Sequence, residues 1–337
     1  MVESAESDER PPPAEGAGGQ PRASHPEAGE WRADALARSQ HSRLDAEIRP
    51  PAEDHDAERA AALCAELARG LLADFAPALL FLAPAERRRA QALVAYGRTL
   101  FDFARQAGVE GGRLSEINRF EFSLETALAG KAIGQPIFVG MAEAHALRPW
   151  PEEALAELAA AARRRATRQR PGSEGAADAD AERLAAAVAA ALLGAPPSAE
   201  LRAFGAALVR LYALQNLGPE ARANRLPLPA TEVPVPAELP YADEDAVDPA
   251  LLLAAARREC RRLRPRLLGA PRGLVELPEG YGRAGVFSLL AGLRLLSLIE
   301  DGGAELLDRP PRLGLLARLG LLARARWFRL GRRTRRP

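Results

Sequence analysis

Two stretches carry the charged residues best spaced for chemistry. The segment DFAPALLFLAPAERRRAQALVAYGRTLFDFAR (74–105) ends in Arg98, Asp102 and Arg105, and ALQNLGPEARANRLPLP (213–229) supplies Asn216, Glu220 and Arg225. Carboxylates hold hard cations through oxygen, while a guanidinium grips phosphate oxygens two at a time. Residues four apart share a helix face, so Asn216 and Glu220 would point the same way. Asp102 and Arg105, three apart, also suit a plain helix-surface ion pair worth a few tenths of a kcal/mol.

Other chemistry finds little footing. No glycine run has the strand–turn–helix context of a phosphate loop, a dinucleotide fingerprint or a nucleophile elbow. Cys64 and Cys260 stand far apart, without ligand spacing, and point to a reducing cytosolic compartment. His25, His41 and His55 are scattered through a polar N-terminal region, and His145 reads as a helix-surface residue. Acids and bases nearly cancel, 45 against 46, so there is no nucleic-acid signal. Lys131 is the sole lysine, a bias toward arginine that discounts arginine clusters taken one at a time. The acidic N-terminus lacks the apolar core of a secretory signal, and no uncharged apolar run reaches the roughly 18 residues of a membrane span.

The elements that must position these residues are helical. Leu93, Gly97, Leu100, Phe101 and Ala104 recur at three- and four-residue spacing, placing the charges at one end of an apolar face. Further helices are expected at 57–72, 113–129 with Gly130 closing the end, from Trp150-Pro151 onward, 180–193, 198–217, 248–268 after Asp248-Pro249, 279–300 and 311–328. Residues 170–180 read as a flexible connection and 218–248 as an extended, proline-rich loop. No alternating strand pattern exceeds four residues. The expectation is an all-α single domain over 57–328, between a disordered tail (1–56) and a basic tail (329–337).

The motifs, taken in order, resemble the squalene/phytoene synthase family. Asp74-Phe75-Ala76, Leu82-Ala83-Pro84 and Arg87 stand where that family has NFP…LLP…R. Arg98 then leads into the first aspartate motif, whose acids fall on Phe101, Asp102 and Arg105. Arg113, Leu114, Phe120, Glu121, Leu124, Gly130 and Gln135-Pro136-Ile137-Phe138 match the next block. Asn216, Glu220 and Arg225-Leu226-Pro227 match a second aspartate motif shortened by about four residues, which leaves Asn224 nearest to its last acid, Pro227 at its tyrosine and Ala213 at its glutamine, with Gln215 close by.

The resemblance implies an isoprenoid-synthase bundle around a central apolar cavity. Such enzymes join two isoprenyl diphosphates, farnesyl diphosphate for instance, head to head, with Mg2+ held by carboxylates on two facing helices. On that basis Asp102 and Glu220 are the remnant catalytic carboxylates and metal ligands. Arg98, Arg105, Arg225 and Asn216 would face the diphosphate, and Phe101, Gly97, Tyr96 and Tyr212 would line the cavity. Most metal-binding acids are missing, so Mg2+ binding is expected to be weakened or lost, and transfer with it.

The chain from Arg309 onward has ten arginines and no acid, interleaved with leucines, Trp327 and Phe328. Such a helix suits an anionic membrane surface and a peripheral place on the inner face of the cytoplasmic membrane. Two other readings remain: a non-catalytic membrane-peripheral assembly protein, and an unrelated alanine-rich scaffold with chance matches.

Overall fold

The computed structural model describes residues 55–106, 108–131, 134–167, 170–222, 225–233 and 248–328. Residues 1–54 of the expected tail 1–56 and the expected tail 329–337 lie outside them, as do Asn224 and the central part of the proline-rich loop, whereas His55 and Asp56 already belong to the first helix. Among the described residues every regular element is helical.

α1 (His55–Leu72) runs into a 3-10 segment (Ala73–Phe81), and α2 (Pro84–Arg105) is the long helix with the charged end. α3 (Glu110–Leu128), α4 (Pro136–Leu147) and α5 (Glu152–Ala166) follow. α6 (Glu174–Leu193) and α7 (Ala199–Gln215) form an antiparallel pair, and α8 (Leu217–Arg222) is a short helix where a loop was expected. α9 (Pro249–Gly269), α10 (Pro271–Leu274), α11 (Glu279–Asp301), α12 (Glu305–Asp308) and α13 (Leu315–Trp327) complete the chain.

Local chemistry explains the boundaries. Gly130 takes φ +78 and donates to Ala127 O at 3.0 Å, closing α3 as glycine closes helices. Asp248 accepts from the Ala250 N–H at 2.8 Å, with Pro249 in the first turn of α9. α6 begins six residues before the expected 180, because Ser173 caps it by accepting from the Ala176 N–H. The polar run after it is the first turn of a helix rather than a connection.

The core falls into two apolar clusters. One joins α2 to α6 around Tyr96, Phe120, Phe138 and Met141. The other joins α7, α9, α11 and α13 around Leu211, Leu263, Phe287 and Leu295. α11 is apolar enough, at a mean hydropathy of 1.4, to pass a length-and-composition test for a membrane span, but half of that stretch is buried inside the fold.

Two buried charges tie distant helix ends together. Arg89 donates to Ala144 O at 2.8 Å and Ala191 O at 3.0 Å, satisfying carbonyls at the ends of α4 and α6, and stacks 3.6 Å above the Trp150 ring. Asp74, fully buried, accepts from Gln215 Nε2 at 3.2 Å and the Leu313 N–H at 3.0 Å, and pairs with Arg318 at 2.9 Å. It thereby fixes α13 against the end of α7.

Candidate functional site

The C-terminus of α2, the end of α5, α8 and the irregular stretch 225–233, which closes in a turn at 229–233, come together at one place. Glu220 is the hub. Its residue is 5% exposed, and its carboxylate is shared by three arginines from three elements. Oε1 accepts from Arg105 Nε at 3.0 Å, and Oε2 accepts from Arg165 Nη2 at 2.9 Å and Arg225 Nε at 3.1 Å. Arg225 also donates through Nη1 to Arg105 O at 3.0 Å, which ties α2 to the stretch after α8.

Burial opposes the ionisation of Glu220, but Arg165, Arg105 and Arg225 outweigh it and hold the carboxyl below its ordinary 4.5. Arg165 is lowered by burial and by its two arginine neighbours, with Glu220 pulling the other way.

Glu220 is held here by a backbone requirement as well. At Gly218 a Cβ would overlap the Leu307 carbonyl of α12, so only glycine lets α8 approach that turn. Two residues later the chain presents the carboxylate to the arginines.

Asp102 lies on the open side of the same group, its side chain 43% exposed. Arg98 Nε donates to it at 3.3 Å, and Arg105 Nη1 stands 3.8 Å away. Arg105 is thus placed between the two carboxylates. The link between Asp102 and Glu220 is therefore this guanidinium, 3.8 Å from the one and 3.0 Å from the other.

A cavity of about 160 Å3 opens beside this cluster. Phe101 lies on one wall with Leu184, Val209 and Leu226, and five arginines line it: Arg164, Arg165, Arg170, Arg210 and Arg225. Asp180 is the one acid among its lining residues. The hollow is smaller than the roughly 300–1,000 Å3 common for small-molecule pockets. By liquid volume it holds about five waters, room for a diphosphate rather than for a whole C15 chain. Arg170 donates to Leu228 O, Pro229 O and Val233 O at 2.9–3.2 Å, holding 225–233 over the cavity.

Other residues expected at the site are placed differently. Arg98 donates to Leu67 O at 3.4 Å and packs on Gly70, so it joins α1 to α2 rather than facing the cavity. Asn216 donates to Tyr212 O at 2.8 Å and terminates α7, which uses its amide as a helix cap. Tyr96 is fully buried, with its ring stacked 5.4 Å from Phe120, and Gly97 and Tyr212 do not line the hollow; only Phe101 of that expected set does. His145, expected at the surface, accepts the Trp150 N–H at 3.2 Å through Nδ1.

Arg165 was missed because the Arg163–Arg165 run reads as a basic helix C-terminus. The periodicity held the signal: Leu158 and Ala161 are buried, and Arg165 lies seven and four residues beyond them on the same face.

The resemblance noted in the sequence implies magnesium, and the residues do not fit a magnesium cluster. Magnesium needs oxygen ligands at about 2.0–2.1 Å in an octahedron, whereas the space between Asp102 and Glu220 holds Arg105. Among the described residues no group of three or more His, Cys, Asp or Glu is close enough to hold an ion. What the arrangement does offer is guanidinium groups around a small hollow, which is anion chemistry.

Comparison with known proteins agrees with the architecture. No curated protein sequence matches the chain. Solved structures share its fold, among them the following three. A dehydrosqualene synthase in complex with a ligand has a TM-score of 0.67 at 14% identity, over 81% of this chain and 97% of that one. The squalene synthase HpnC from Alicyclobacillus acidocaldarius has 0.59 at 18% identity, over 77% and 98%. TcSQS with the ligand BPH1237 has 0.54 at 12% identity, over 79% and 86%. At such identities the likeness is one of fold. A family profile described as squalene/phytoene synthase matches residues 69–317, most of the chain, and by that match the protein belongs to the squalene/phytoene synthase family.

Proposed function

We propose that this protein binds an isoprenyl diphosphate, such as farnesyl diphosphate, and has lost the magnesium-dependent head-to-head transfer of its family. One observation carries the reading. Arg105, Arg165 and Arg225 converge on Glu220, and two of them, Arg165 and Arg225, line a hollow with an apolar wall beside the family's aspartate-motif positions, while Phe101 and Arg105 replace two of the first motif's three acids. Guanidinium groups hold a diphosphate, and the hollow takes the head group and the start of the chain. Driving off the diphosphate needs its growing charge neutralised, and losing a metal's contribution costs several kcal/mol, with about 1.4 kcal/mol per tenfold in rate.

Full-length protein should bind farnesyl diphosphate in calorimetry, and Arg165→Ala should weaken binding about tenfold or more. Incubated with farnesyl diphosphate and magnesium, it should yield no presqualene, squalene or phytoene-type product where an authentic synthase does. Absence of binding removes the reading, and a product restores the enzyme.

A second reading adds a membrane surface, and it rests on α13. Leu321 and Ala325 face the core, while Leu315, Leu316, Leu319 and Trp327 are more than half exposed beside Arg312, Arg324 and Arg326. An apolar and basic face of this kind suits an anionic bilayer and a peripheral place on the cytoplasmic membrane. It also fits an assembly role without catalysis. Flotation with phosphatidylglycerol vesicles but not with phosphatidylcholine vesicles is the expected result, and equal recovery from both ends the reading.

A further inference from the structure

Arg105 occupies the space in which a cation bridging Asp102 and Glu220 would have to sit, and its partners Arg165 and Arg225 complete a guanidinium ring around one buried carboxylate. We infer that Glu220 is an internal stand-in for the ligand: a diphosphate enters by displacing its hold on the three arginines, and it does so without a divalent cation. The inference rests on the proposed diphosphate binding and specifies how the charge is met.

The geometry supports it in three ways. First, the charges do not balance locally. Three guanidinium groups share the single buried carboxylate Glu220, and Asp102 is divided between Arg98 and Arg105. An incoming anion meets an unneutralised field. Second, the ring is reachable. The side chains of Arg105, Arg165 and Arg225 are 24%, 28% and 16% exposed, whereas that of Glu220 is 6%. Arg165 and Arg225 line the cavity wall. Two of the three cations thus face the hollow, while Glu220 is not among its lining residues. Third, a guanidinium has five N–H donors, and the bonds to Glu220 engage one each from Arg105, Arg165 and Arg225, leaving donors for phosphate oxygens.

The cavity also selects the ligand. With arginines on its wall and room for about five waters, it suits a diphosphate, whether free or at the head of a prenyl chain. Inorganic pyrophosphate and farnesyl diphosphate present the same head group, so comparing them separates the anion's contribution from the chain's.

The consequence for mutation runs opposite to a metal site. Were Glu220 and Asp102 metal ligands, neutralising either would abolish binding. Here Glu220 competes with the ligand for all three arginines and Asp102 for Arg105 alone, so neutralising either strengthens binding, Glu220 the more.

The test is calorimetric titration of the full chain with inorganic pyrophosphate, first with EDTA and then with excess Mg2+. The expected result is one-to-one binding in EDTA, weakened by Mg2+ because the metal complexes the free anion. Glu220→Gln should tighten pyrophosphate binding about tenfold, Asp102→Asn should tighten it more modestly, and Arg165→Ala should weaken it about tenfold or more. Asp102 is half exposed, so its variant tests the idea even where Glu220→Gln folds poorly. Binding of pyrophosphate only with Mg2+, or its loss in Asp102→Asn, overturns the inference. Farnesyl diphosphate that binds only with Mg2+ overturns it too while leaving the proposed function standing. Farnesyl diphosphate that binds in neither buffer removes both.

Discussion

Replacing Glu220 by glutamine should destabilise the fold and make its stability depend on an added anion. The substitution keeps size and one acceptor oxygen but removes the only charge shared by Arg105, Arg165 and Arg225. Removing one partner of a buried ion pair costs about 3–5 kcal/mol because the remaining charge is stranded. The three guanidinium groups keep some contact with water, so the lower end, about 3 kcal/mol, applies. For a body of this size that lowers the melting temperature by roughly 5 °C. Pyrophosphate at 100 times its Kd adds about 2.7 kcal/mol and should recover most of the loss. The difference should also fade in acid. Because the arginines hold Glu220 below 4.5, its contribution is present above that pH and is lost as pH falls through the lowered value. The assay is thermal unfolding of wild type and variant at pH 7 and pH 3, with and without pyrophosphate and with EDTA throughout. A variant melting within about 1 °C of wild type at pH 7 would show that the arginines do not depend on this carboxylate.

Gly218→Ala should cost about 1–3 kcal/mol and weaken pyrophosphate binding, since its methyl group would meet the Leu307 carbonyl and push α8 away; normal binding by calorimetry would refute the placement of α8. Glu232, in the stretch over the cavity, is pushed up to about 7 by burial and by its hydrogen bond and repulsion with Glu174. A raised carboxyl stabilises below its unfolded value of 4.5 and loses that contribution as pH rises through about 7, so wild type should lose stability from pH 5 to pH 8 where Glu232→Gln does not. Burial pushes the thiols of Cys64 and Cys260 up to about 12, so both should resist alkylation at pH 8 until the chain unfolds, as mass spectrometry would show. Leu316→Glu, on the outer face of α13, should abolish vesicle flotation while leaving the melting temperature within about 1 °C.

What was legible in the sequence is what short-range physics decides. The apolar spacing of 93–104, the proline at the start of α2, Gly130 and Asp248-Pro249 each specify a helix or its end within a few residues, and the structure has them. The start of α6 was hidden because GSEGAADAD has the composition of a loop, and only the Ser173 cap and the helices packed on it decide otherwise. Asp74 could be aligned but not understood, since its partner Leu313 is 239 residues away and no local pattern encodes such a contact. The site divides along the same line. Asp102, Glu220, Arg105 and Arg225 follow from motif order, whereas the arginine that completes the ring is one of a run of three and is distinguished only by the face it shares with buried alanines.

That third arginine decides what the erosion of the aspartate motifs means. If the acids had simply been lost, the site would be a neutral remnant with no reason to hold an anion. Instead the position of one lost acid is taken by Arg105, and Arg105, Arg165 and Arg225 carry three positive charges against the one negative charge of Glu220. The local excess, two positive charges, equals the formal charge of a single magnesium ion. It is fixed to the protein and spread over planar groups that match phosphate oxygens. A charge so arranged can hold a diphosphate in its ground state. It cannot concentrate on the departing oxygens as closely as bound metal ions do, because guanidinium nitrogens approach oxygen no nearer than about 2.7–2.9 Å and magnesium approaches to about 2.0–2.1 Å. The proposed combination of retained binding and lost transfer rests on that difference in distance.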